Sequence, residues 1–170
     1  SVFSTNQVSL AAGASFSTYF QFQFSNAGGS NDGQGNGADG LVFVVQTVAN
    51  NVGGGGGGIG YQGIGNSVGI EFDTWNNGAG DNNSSNHVGV DVNGSVSSIA
   101  LTEVTEADMN NGAIWNAWVD YDASTHLLQA RLSQNNARPT TALLSMTRDI
   151  ALDLGSTNAF VGFTSGTGAA

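Results

Sequence analysis

An all-β fold, an antiparallel sandwich or jelly roll, follows from three observations on the sequence. Short stretches alternate apolar and polar residues at a strand's period of two. Runs of Gly, Asn, Ser and Thr separate them, as tight turns require. No segment sustains a helical period, and the one weak helical candidate, 105–112, reads better as a turn.

The elements follow in order. Phe16, Phe20, Phe22 and Phe24 alternate with Ser17, Tyr19, Gln21 and Gln23, so this strand is half buried. Residues 25–37 are a polar, glycine-rich loop. LVFVVQTV at 41–48 is almost continuously apolar and predicts a strand covered on both faces. Six consecutive glycines interrupt 50–65. The strands on either side read as parts of one sheet system, so this is a long surface loop within one domain, not a linker. Trp115, Ala117, Val119 and Tyr121 alternate with Asn116, Trp118, Asp120 and Asp122. A turn at 122–125 and LLQARLS at 127–133 complete a β-hairpin. Residues 142–147 and 158–165 are further strands.

Charge narrows the function. The chain has 170 residues, 39% of them hydrophobic, enough for one domain with a substantial core. Three Arg and no Lys face 13 acidic residues, for a net charge of -10. That opposes a phosphate-backbone partner, which needs a basic surface. No apolar run approaches a membrane span. Without Cys, neither disulfides nor thiolate metal sites can form.

The chemistry concentrates in 67–93. Val68, Ile70 and Phe72 share one strand face, and Gly69, Glu71 and Asp73 the other. Val88, Val90 and Val92 repeat the pattern against His87, Gly89 and Asp91. A polar loop carrying Asn77 and Asp81 joins the two strands. Neighbouring carboxylates raise each other's pKa unless a cation lies between them. Carboxylates and amide oxygens suit calcium, and an added imidazole suits a transition metal. The cluster reads as a two-metal site with shared carboxylates. His126 and Asp91 are assigned no role.

ADGLVFVVQ at 38–46, VGIEFDTWNN at 68–77, NHVGVDVNGSVSS at 86–98, WNAWVDYDASTHLLQARL at 115–132 and NAFVGFTSGTGA at 158–169 together resemble the legume-type (L-type) lectins. The order matches over nearly the whole chain. The glycine-rich loop and the absence of Lys look more like bacterial members than plant ones. The resemblance implies a concanavalin-like jelly-roll sandwich lacking the terminal back-sheet strands, and so an open edge for another copy or a strand-complementing chain. It implies one lectin-like domain, 1–170, within a longer, secreted or cell-surface protein that adheres to glycans. Glu71, Asp73, Asp81 and His87 would bind a transition metal, usually Mn2+. Asp73, the Trp75 carbonyl, Asn77 and Asp81 would bind Ca2+. Ser97 would hold a metal-bound water. The sugar pocket would comprise Asp39, a backbone N–H at Gly57 or Gly58, the Asn77 amide and the Trp75 ring, with a cis Ala38–Asp39 peptide.

Two other classes compete. Concanavalin-like glycoside hydrolases need a nucleophile and an acid about 5–5.5 Å apart. Trp75, Asn76 and Asn77 stand where a second Glu would follow Glu71 and Asp73, and Glu103 and Glu106 are expected in a distant turn region. An enzyme is therefore not expected. A calcium-stabilised structural or filament module would lack the pocket residues that this chain carries.

Overall fold

The computed structural model describes residues 1–35 and 37–167. Asn36, in the 25–37 loop, and 168–170, the end of the GFTSGTGA segment, lie outside the described residues. Strands β1 (Val2–Phe3), β2 (Val8–Ser9) and β3 (Phe16–Phe22) open the chain, followed by β4 (Gly40–Gln46), β5 (Ser67–Asp73), β6 (His87–Val92) and β7 (Ala100–Glu103). Then come β8 (Trp115–Asp122), β9 (Leu127–Ser133), β10 (Leu144–Thr147), a short helix α1 (Ile150–Leu154) and β11 (Asn158–Gly166).

They form two antiparallel sheets. One runs β1-β11-β4-β5-β6-β7, with β2 also pairing β11. The other runs β10-β9-β8-β3, so β3 and β10 are its edges among the described residues. Period-two alternation explains the packing. Phe43, Val45, Val68, Ile70, Phe72, Val88 and Val90 face inward from the wide sheet, and Trp115, Ala117, Val119, Tyr121, Leu128 and Ala130 from the narrow one. The aromatics interlock between them: Phe20 meets Phe72 edge-on at 5.8 Å, and Phe22 meets it at 5.1 Å.

The other face of β4 is covered too, as its apolar run predicts. Val42 and Val44 pack with Ile59, Tyr61 and Ile64 from the glycine-rich loop. That loop is therefore pinned on the sheet by its own small core. The sequence reading missed this because three apolar residues are diluted among the glycines. It also missed α1, which Asp149 caps by accepting from the Leu152 N–H, and β7. Residues 105–112 form turns, as expected, and Met109 within them is fully buried. No helix of the described residues is long and apolar enough to cross a membrane.

Candidate functional site

The pairing of β5 with β6 builds the site. Asp73 lies opposite His87, Glu71 opposite Gly89, and Gly69 opposite Asp91. All point away from the central core, yet none is exposed: Glu71 is 1% accessible, Asp73 3%, His87 0% and Asp91 0%. Glu71, Asp73 and His87 each bring one ligand atom within 4.8 Å of the others. The Nδ1 of His87 lies 3.2 Å from the Ser84 carbonyl, and its Nε2 lies 3.2 Å from Glu71 Oε1. Donation from Nδ1 to Ser84 turns Nε2 toward the carboxylates.

The connecting loop folds back on this triad. Asp73 Oδ1 accepts from the Trp75 N–H at 2.6 Å, and Asp81 Oδ2 accepts from the Asn77 N–H. Asp81 ends a 3₁₀ turn, Gly78–Asp81, and is 3% exposed. It sits beside Asn77 but outside the compact triad. Asn77 is exposed and Trp75 half-buried.

The donor set fits a cation. Glu71 Oε2 is buried with no hydrogen-bond partner. Burial, with repulsion from Glu71 and Asp81, pushes the Asp73 carboxyl up to about 8. Burial also pulls His87 down, but its hydrogen bond to Glu71 and the charges of Asp73, Glu71 and Asp81 outweigh that and raise it. Two bonds of about 2.0–2.2 Å at a right angle span about 3 Å, close to the spacing of Nε2 and Oε1.

A pH prediction follows for metal-stripped protein. Asp73 and His87 both bind protons more tightly in the folded state than in the unfolded one. Their stabilisation is complete below the ordinary values of 3.8 and 6.5 and is lost as pH rises toward and through the raised ones. In chelator, the melting temperature should fall between roughly pH 5 and pH 8, and saturating Ca2+ and Mn2+ should flatten that slope. A melting temperature that holds or climbs over this range in chelator would refute it.

The predicted sugar-side residues lie at the neighbouring rim. Gly40 pairs with Asp73, so Asp39 and Thr74 stand side by side just beyond. The Asp39 carbonyl accepts from the Thr74 N–H at 2.9 Å, and the Asp39 N–H donates to Gly166 at 2.9 Å. The Ala38–Asp39 peptide is cis, as the resemblance implies. A Cβ on Gly57 would lie 3.8 Å from Asp39 Oδ1. Gly57 is exposed, whereas Gly58 is buried against Gln62. Of the two loop glycines, Gly57 is thus the exposed one.

Three positions depart from expectation. Ser98, not Ser97, reaches the cluster: its hydroxyl lies 2.6 Å from Glu71 Oε1 and 2.9 Å from Asp91 Oδ1. Asn93 and Gly94 both take left-handed backbone in the intervening turn. Ser97 is exposed. Glu103 is not in a distant turn. It ends β7 directly across from His87, on an unforeseen strand. Asp32 was not singled out, yet its carboxylate accepts from the Asn76, Gln34 and Gly35 N–H groups and ties the 25–37 loop to the site loop. An Asp in a Gly-Asn-Gln stretch was the available signal.

Known proteins are similar to this chain over most of its length. The sequence profile of the legume lectin domain matches residues 2–170. An Arabidopsis thaliana L-type lectin-domain containing receptor kinase, VIII.1, is 36% identical over 141 residues, covering 80% of this chain and 19% of the relative. Lectin-4 of Griffonia simplicifolia is 32% identical over 168 residues, covering 94% of this chain and 65% of that one. The chain thus spans 19% and 65% of the lengths of these two relatives. Among solved structures, basic winged bean lectin with Tn-antigen superposes with a TM-score of 0.71 at 31% identity, covering 91% of this chain and 62% of that one. These relatives are plant proteins, so the expected likeness to bacterial members finds no support.

Proposed function

The chain belongs to the legume lectin family, and from that premise we propose that its 170 residues form one calcium-dependent glycan-binding domain that catalyses nothing. The observation that carries this reading is the convergence of two sets. The buried Glu71–Asp73–His87 triad lies one residue along the sheet from Asp39, which faces Gly57. Glu71, Asp73, Asp81 and His87 would hold a transition metal such as Mn2+. Asp73, Asn77, Asp81 and the Trp75 carbonyl would hold Ca2+. When bound, these cations neutralise buried carboxylates and tie the 75–81 loop to the sheet.

The remaining work falls to the chain's own groups. Asp39 accepts from two adjacent sugar hydroxyls. The Gly57 N–H and the Asn77 amide donate, and the Trp75 ring covers the C–H face of a pyranose. A loop ordered in advance makes such weak contacts count, since little ordering remains to be done on binding. Support for glycans comes from the relatives: the winged bean structure is with Tn-antigen, and Lectin-4 is a lectin by name. The receptor-kinase relative supports display at a cell surface, or secretion. The open edge of β3 is where another copy or a strand-complementing chain would add.

Calorimetry on a glycan panel, with Ca2+ and Mn2+ restored and again in chelator, tests this, together with product analysis. Binding should be reversible, cation-dependent and free of cleavage. Binding indifferent to chelator, or release of shortened oligosaccharide, would overturn it. Chelator should also lower the melting temperature, by about 2.7 kcal/mol of lost stabilisation at 100 times the dissociation constant.

A further inference from the structure

The turn after β6 carries an acceptor pattern that the proposed binding function leaves unused. Asn93, Gly94 and Ser95 form an Asn-x-Ser tripeptide, the pattern at which an oligosaccharide is attached to asparagine in secreted chains. The same pattern begins at Asn82 and at Asn83. The pattern does not choose among the three, but their places in the fold do.

Asn93 stands at the far end of the sheet from the pocket. Gly40 pairs with Asp73 at one end of β4 and β5, and Gln46 with Ser67 at the other. Asp39 lies just beyond the first pair. Asn93 lies beyond the second, its backbone N–H donating to the Ser67 carbonyl at 2.9 Å. The length of β5, Ser67–Asp73, puts about 20 Å between the two ends.

The turn that presents Asn93 is held without its side chain. Asn93 and Gly94 take left-handed backbone, with φ of 54° and 72°. The Ser95 N–H donates to the Val92 carbonyl at 3.1 Å, and the Gly94 carbonyl accepts from the Gly63 N–H at 2.9 Å. Gly94 is buried, and a Cβ there would lie 2.5 Å from the Ile64 nitrogen. It seats the turn against the glycine-rich loop, while Asn93 and Ser95 on either side are exposed. None of these bonds uses the Asn93 side chain. A bulky polar group on it extends into solvent without breaking the turn.

Asn82 and Asn83 are exposed too, but they follow directly on Asp81. Ser84, the hydroxyl of the first of these patterns, is buried and accepts from the Asn86 N–H at 3.2 Å. The Asn83 carbonyl accepts from Gln34 Nε2, and Gln34 Oε1 accepts from the Ser85 N–H, which ties the 25–37 loop to the site loop. A glycan here would stand beside the pocket and occupy the space an incoming sugar needs.

We propose that Asn93 is the attachment site of an N-linked oligosaccharide, and that Asn82 and Asn83 stay bare. The proposal rests on the reading of the chain as a secreted or cell-surface glycan-binding domain. The donor is a lipid-diphosphate-linked oligosaccharide. Asn93 Nδ2 bonds to C1 of its first sugar as the bond from C1 to the diphosphate oxygen breaks. The electron pair of that bond leaves with the lipid diphosphate, and Nδ2 gives one proton to a base of the transferase.

The test is secretion of the chain from plant cells behind a leader peptide. Enzymatic release of N-glycans in heavy-oxygen water then converts each glycosylated Asn to labelled Asp, which peptide mass mapping locates. A digest without the releasing enzyme subtracts spontaneous deamidation, to which an Asn-Gly pair is prone. Label is expected at Asn93 and not at Asn82 or Asn83. Ser95→Ala should remove it, and Ser95→Thr, which keeps the hydroxyl, should retain it. A secreted chain with Asn93 bare, or label at Asn82 or Asn83, overturns the proposal. Calorimetry with Ca2+ and Mn2+ should give the same glycan affinity before and after release, and a changed affinity overturns the placement of the attached glycan away from the pocket. If neither form binds any glycan of the panel while Asn93 carries label, the binding function fails and the attachment site stands.

Discussion

Asp39→Ala is expected to abolish glycan binding while leaving the cation-dependent rise in melting temperature intact. The backbone at this position has hydrogen bonds of its own. Its N–H is held by Gly166 and its carbonyl by the Thr74 N–H, both at 2.9 Å, so an alanine keeps the same path. What goes is the acceptor for two sugar hydroxyls. Charge-assisted hydrogen bonds contribute about 1.5–3 kcal/mol each. A monosaccharide held at about 1 mM has only about 4 kcal/mol of binding free energy. Losing both bonds removes about 3–6 kcal/mol, most or all of that affinity, and calorimetry should return a flat trace. Glu71→Gln gives the contrasting result: binding lost through the cation, with the chelator-induced fall in melting temperature lost as well. A variant with Asp39→Ala that binds as tightly as wild type would remove Asp39 from the pocket and the pocket from the proposed function.

Much of this arrangement could be read from residue order, because strand periodicity fixes which side chains share a face. Val68, Ile70 and Phe72 had to lie opposite Glu71 and Asp73 whatever the surroundings, and the β5–β6 register then put Asp73 beside His87. The hairpin of β8 and β9 was legible for the same reason. The failures fall where periodicity stops. In the turn after β6, where Asn93 and Gly94 take left-handed backbone, it is Ser98 and not Ser97 that meets Glu71. Strand β7 has only four residues, Ala100–Glu103, none of them fully buried, and so carries no alternation to read. The glycine-rich loop looked like open chain because its ordering depends on Ile59, Tyr61 and Ile64 finding Val42 and Val44, contacts distant in sequence. Asn86 makes the same point. Its side-chain amide donates to the Val104 and Ala107 carbonyls and its oxygen accepts from the Met109 N–H, which gives residues 105–112 their turns. No local pattern announces that.

Phe72→Ala should produce a large loss of stability, and a loss of a different kind from any change at the site. The ring is fully buried and meets Phe20 and Phe22 from the opposite sheet at 5.8 and 5.1 Å. Truncating a buried Phe costs about 3–5 kcal/mol, through lost transfer free energy and the cavity left between the sheets. Domains of this kind hold about 5–15 kcal/mol in all, so the variant keeps its fold with a melting temperature lower by roughly 10 °C. Phe72 is also the residue between Glu71 and Asp73, yet its side chain leaves the opposite face of β5. The cavity therefore opens away from the carboxylates, and the folded variant should bind cation as wild type does. Saturating cation at 100 times its dissociation constant should return about 2.7 kcal/mol of the loss, because only the folded state binds it. Glu71→Gln reverses this signature. It removes a buried acid, so melting in chelator holds or improves, and the response to cation disappears. Denaturant midpoints for both variants, with and without Ca2+ and Mn2+, separate the two faces of one strand. An unchanged midpoint for Phe72→Ala would place that side chain outside the core. A lost cation response in that variant would show that the core and the site are not independent across β5.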